Sequence, residues 1–113
     1  MSTTVKQSSY RDIKQAYEKG VEQAGGISAT YLEATFDDKS QQFIEVDEEF
    51  EEDILFQINE LMPFLVATKY RLEFIVEDTN TSEKKKRKYR NRLEDLNAYI
   101  TTLENIKDDI GWS

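Results

Sequence analysis

Seven apolar residues near the end of the chain constrain its fold more than any other feature. Tyr89, Leu93, Leu96, Ile100, Leu103, Ile106 and Ile110 recur at spacings of four, three, four, three, three and four. That rhythm matches the 3.6-residue repeat of an α-helix and draws a narrow, nearly heptad stripe along about six turns. A stripe this long has to be covered. In a chain of 113 residues, enough for one domain with a modest core, the cover comes from the chain's own other segments. The alternative is an exposed zipper that docks on a partner.

Upstream segments supply such cover. Residues 1–8 are polar and are expected to form a flexible N-terminus, with 9–113 a single helical domain. Ser9 offers an N-cap, with Asp12 three residues on as a partial capping box. Tyr10, Ile13, Tyr17, Val21 and Ala24 then mark one helix face, and Gly25-Gly26 reads as its stop. Thr30–Phe36 and Gln42–Val46 are rich in β-branched and aromatic residues around the polar turn Asp37-Asp38-Lys39-Ser40. They predict a β-hairpin or an irregular insert at about 27–46. Asp47 is suited to cap the next helix, whose wide apolar face is Phe50, Ile54, Leu55, Ile58, Leu61 and Met62. Pro63 predicts a kink or a break. Beyond it, Phe64, Leu65, Val66, Tyr70, Leu72, Phe74, Ile75 and Val76 read as a buried continuation of the helix, although Tyr70, Leu72, Phe74 and Val76 also alternate like a strand. A turn follows at Asp78–Ser82, with Asn80 and Glu83 spaced as a capping box. The expectation is a mainly α protein: an antiparallel bundle of three to four helices.

Charge is distributed unevenly. An acidic block (Glu45, Asp47, Glu48, Glu49, Glu51, Glu52, Asp53) opens one helix, and a basic block (Lys84, Lys85, Lys86, Arg87, Lys88, Arg90, Arg92) opens the last. Carboxylates at a helix N-terminus suit the macrodipole, so a solvated first turn accounts for the acidic block without a functional role. Five consecutive cations at the same end oppose the dipole and repel one another, which favours an outside partner rich in carboxylates or phosphates. A plain solvated face is the rival reading. Antiparallel helices would place the two blocks at opposite ends of the subunit, where a neighbouring copy can join them. The interface residues expected on this ground are Glu48, Glu51, Glu52, Lys85, Arg87, Lys88 and Arg92, with Trp112 as an anchor either for packing or for an interface.

The chemical inventory is thin. The chain has no His and no Cys, which removes imidazole bases, thiolates, disulfides and the commonest metal ligands. There is no glycine-rich phosphate loop, and the carboxylates around Asp37 fall short of a calcium loop. No catalytic residue, metal ligand or cofactor is expected, and the chain reads as a non-enzyme. A net charge of −8 argues against general binding to nucleic acid or to an anionic membrane. No run of residues is apolar enough to span a bilayer, and the polar N-terminus carries no signal-peptide pattern.

The segments Ile44–Leu55, Leu65–Arg71 and Lys86–Leu96 (with Tyr89 inside) follow a pattern of acidic helix start, core helix and charged final helix. Over residues 44–100 this resembles the head–tail connector (adaptor) proteins of tailed bacteriophages, from which Pro63 and the length of the basic run are departures. The resemblance implies a ring subunit acting by assembly, with copies of itself and the phage portal and tail proteins as partners. It also implies a place in the virion, or in the host cytoplasm during assembly. Other classes remain: an acidic inhibitor that mimics DNA, a helical adaptor that binds one protein partner through Leu93–Ile110, and a nucleic-acid binder using Lys84–Arg92, which lacks a stacking array.

Overall fold

The computed structural model describes residues 7–111, with side chains described from Tyr10. Three long helices, α1 (Gln7–Thr35), α2 (Glu48–Glu77) and α3 (Glu83–Gly111), run up, down and up. A two-stranded antiparallel hairpin, β1 (Phe36–Asp37) and β2 (Gln42–Phe43), joins the first two. The molecule is therefore a rod, 52 × 28 × 21 Å. The mainly helical bundle and its hairpin agree with the sequence reading, whereas several boundaries differ.

The core is one continuous seam. Ile54, Ile58, Leu65, Leu72 and Ile75 of α2 and Leu96 and Leu103 of α3 are essentially inaccessible to solvent. Ile13, Ala24 and Ile27 of α1 join them. The stripe of α3 thus lies inside the bundle, with Leu93 alone among its seven members only partly covered.

Helix α1 does not stop at Gly25-Gly26, and Ser9 lies within it rather than capping it. Its apolar face continues through Ile27 and Tyr31, still at helical spacing, and this burial outweighs the roughly 1 kcal/mol per glycine that an uninterrupted helix loses. At Gly25 the missing side chain leaves ordinary contact room for the Tyr99 ring, 3.8 Å from where a Cβ would sit. Residues 30–35, expected as strand, are therefore helix. The insert shrinks to 36–43, closed by a four-residue loop, 38–41. In that loop the Asp37 carboxylate accepts from Lys39 N (3.1 Å) and Ser40 Oγ (2.9 Å), and Gln41 adopts φ 56°. Phe36 and Phe43 meet edge to face across the strands, 5.2 Å between ring centres.

Helix α2 starts as expected, with Asp47 Oδ1 accepting from Phe50 N at 2.8 Å. It then passes Pro63 without a break. Proline removes the N–H that would bond the Asn59 carbonyl, but both residues lie on the exposed side, where water can take the donor's place. Residues 64–77 are helix, yet Tyr70 (63% exposed) and Phe74 (55%) face outward, contrary to the expectation that the whole segment is buried. The cap of α3 is Ser82, whose Oγ accepts from Lys85 N at 3.3 Å, whereas Asn80 N donates to the Asp78 carboxylate within the turn.

Two stability measurements check this packing. Ile100→Ala opens a void in the seam and should cost about 2–5 kcal/mol in denaturant unfolding. Gly26→Ala meets no atom within 4 Å and sits mid-helix, so it should stabilise by roughly 0.5–1 kcal/mol. At Gly20 an added Cβ would lie 2.8 Å from Leu65 Cδ2, in the fully buried seam, and Gly20→Ala should forfeit that gain.

Candidate functional site: two charged ends and an exposed helix face

The up-down-up course sets where the charge goes. α2 begins at the end where α1 and α3 finish, so Glu48, Glu51 and Glu52 sit beside Thr35, the hairpin and Asp109. α3 begins at the other end, near the start of α1. The blocks are thus separated along the 52 Å axis. The ion pairs Lys14–Glu18 (3.9 Å) and Lys69–Glu73 (4.0 Å) lie within single helices and do not link the ends.

At the acidic end the carboxylates rim an open cavity of about 630 Å³ whose floor and walls include Tyr31, Phe43, Ile44, Val46 and Leu55. Phe43 is 77% exposed there. Burial, then the nearby Asp109 and Glu51 carboxylates, holds the Tyr31 phenol above its ordinary pKa. Glu51 is half-buried, whereas Glu48 and Glu52 point to solvent.

At the basic end the predicted residues divide into two sets. Lys85 Nζ lies 4.3 Å over the Tyr10 ring, and the Arg92 guanidinium lies 5.6 Å from the ring centre of Tyr17 and 5.2 Å from that of Tyr89. Tyr10 and Tyr89 stack with centroids 6.0 Å apart. These two cations therefore help clip α1 to α3 through cation–π contacts. Arg87 and Lys88 are exposed and remain candidates for a partner. The sequence pattern assigns Tyr10, Tyr17 and Tyr89 to helix faces without showing that they form a ladder. Its signal was the seven-residue spacing of Tyr10 and Tyr17, opposite a helix whose cationic run contains Tyr89. Trp112 lies outside the described residues, as do positions 1–6 of the expected flexible N-terminus; positions 7 and 8 belong to α1.

A third surface was hidden by the α2 pattern. Phe56, Pro63, Ala67, Tyr70 and Phe74 are all exposed and share one side of α2, opposite Ile54, Ile58, Leu65 and Leu72. Beside it, a groove of about 600 Å³ between α1 and α2 is floored by Gly26, Ile27 and Leu61 and flanked by Phe56 and Phe64. The spacing of 56, 63 and 70 was the readable signal.

Among the described residues no helix is long and apolar enough to cross a membrane, and no group of three or more acidic side chains is arranged to hold a metal ion. No family model, curated protein or solved structure matches this chain.

The Tyr17 hydroxyl donates to Asp95 Oδ2 at 3.2 Å, and burial, followed by the Asp95 charge and this bond, raises its pKa. A raised phenol favours the folded state while protonated. This contribution is complete below about pH 10, the ordinary tyrosine value, and is lost as pH rises through the folded-state value. The stability difference between wild type and Tyr17→Phe should therefore shrink above about pH 10, read by chemical denaturation across that range.

Proposed function

We propose that this chain is a non-enzymatic assembly protein whose copies meet acidic end to basic end. The observation that carries the reading is the separation of two one-signed blocks to opposite ends of a stiff rod. Within one molecule Glu48 and Glu52 are out of reach of Arg87 and Lys88, so their natural complement lies on another chain. Individual exposed ion pairs contribute little and are screened by salt, so they set orientation while apolar area supplies affinity. The absence of His and Cys from the sequence agrees with a role without catalysis.

The finer form of this proposal is the ring subunit of a phage head–tail connector, working between portal and tail in the virion. It rests on the sequence resemblance together with the end-to-end polarity, because unlike patches on one subunit make heterologous contacts that can close into a ring. The competing adaptor reading, in the form that uses Leu93–Ile110, loses its surface, since that stripe is occupied by the core. For a DNA mimic the carboxylates are too concentrated at one end.

Reversal of charge tests the proposal. Arg87→Glu with Lys88→Glu should abolish self-association in sedimentation equilibrium, and adding Glu48→Lys with Glu52→Lys should partly restore it. Normal assembly of the first variant would refute end-to-end pairing.

A further inference from the structure

Among the described residues, helix α2 alone of the three carries apolar residues on two opposite sides along most of its length, and the bundle covers one of them. The buried side runs Ile54, Ile58, Leu61, Leu65, Leu72 and Ile75. On the opposite side Phe56, Tyr70 and Phe74 are 64%, 63% and 55% exposed, with Pro63 and Ala67 between them also exposed. Single exposed apolar residues are ordinary, but three aromatic rings aligned on one helix face are what a helix partner covers.

We propose that this face is the contact surface for a second copy of the same chain, packed antiparallel along α2. It rests on the self-assembly reading above only in its coarse form, that copies of the chain associate, because a two-fold pair is an isologous contact and a ring needs a heterologous one. The pattern is self-complementary about a point near Leu65. With that point on a two-fold axis, Phe56 faces Phe74 of the partner, Pro63 faces the partner's Ala67, and the relation is reciprocal, as a two-fold interface requires. Charge selects the direction. In the antiparallel pair Glu60 lies beside Arg71 of the other copy, twice, because a two-fold axis across antiparallel helices brings like flanks together. The same register sets Glu52 and Asp53 level with the partner's Asp78 and Glu77, so the attraction between the two α2 helices comes from the paired Glu60–Arg71 contacts. A parallel pair would instead set acidic end against acidic end.

Size requires more than the aromatic stripe. From Phe56 to Phe74 the stripe runs about 27 Å at 1.5 Å per residue and, at a helix width of about 10 Å, offers roughly 300 Å² per copy. Two copies give on the order of 600 Å², short of the roughly 1,200 Å² of a specific interface. The stripe needs its flanks, Glu60 and Arg71 among them, to complete the contact.

The test uses the full-length protein. Wild type should sediment as a concentration-dependent dimer, and Phe56→Ser with Phe74→Ser should weaken pairing at least tenfold with unchanged helical circular dichroism, because both side chains are exposed. The chain has no cysteine, so single cysteines report register. Glu60→Cys and Arg71→Cys proteins should be joined by a short bismaleimide when mixed, and neither should join to itself. A wild-type chain that stays monomeric at high concentration, an unaffected serine variant, or self-linking without mixed linking would each overturn the proposal. The two readings fail separately. If the serine variant is monomeric while the Arg87→Glu, Lys88→Glu protein pairs normally, the charged-end reading falls and the α2 surface stands. The reverse result removes the α2 surface and leaves end-to-end pairing.

Discussion

Everything else in this molecule depends on the seam between α2 and α3. Leu96 and Leu103 from one helix and Ile54, Ile58, Leu65, Leu72 and Ile75 from the other are withdrawn from water along nearly the whole length of both. Each such side chain contributes about 1.5–3 kcal/mol of burial relative to exposure. Because both helices carry the pattern over many turns, only a long side-by-side alignment satisfies them, and the short 78–82 turn makes that alignment antiparallel. Helix α1 closes the third side with a weaker face of small and half-buried residues. It recruits the tyrosine ladder and the cations above it to hold its first turns in place.

That alignment has an electrical consequence. A helix start rich in carboxylates and a helix start rich in cations follow each other in sequence, and antiparallel packing carries them to opposite ends of the rod. The separation is a product of topology, since in a parallel arrangement the two blocks would lie side by side and neutralise each other. The same packing spends one side of α2 on the core and leaves the opposite side, equally apolar at Phe56, Tyr70 and Phe74, facing solvent. Polarity along the axis and an uncovered stripe across it are the two surface features on which the proposed self-association rests.

Local signals were most reliable where a single interaction decides them. Asp47 caps α2 because its carboxylate reaches Phe50 N, a bond specified within four residues. They were least reliable where burial competes with propensity. Gly25-Gly26 has the chemistry of a helix end, but Ala24, Ile27 and Tyr31 keep the core face in phase on both sides of it, and packing prevails. Pro63 has the chemistry of a helix break, but its missing bond falls on the wet side of a helix held by the seam beneath. Ser82 displaces Asn80 as a cap because the turn uses Asn80 N on Asp78.

The sequence by itself determined the helical class, the buried stripe of α3, the start of α2, the turn within the hairpin and the existence of two opposed charge blocks. Each is written in spacings or contacts within a few residues of chain. Only the tertiary structure decided which side of α2 beyond Pro63 is core, because residues 64–76 carry apolar side chains all round the helix and a bundle of three helices has room to cover one side. It likewise decided that Lys85 and Arg92 rest on tyrosines of α1 while Arg87 and Lys88 face solvent, since α1 and α3 meet across more than seventy residues of sequence. A run of like charges carries no record of which members a distant helix will claim.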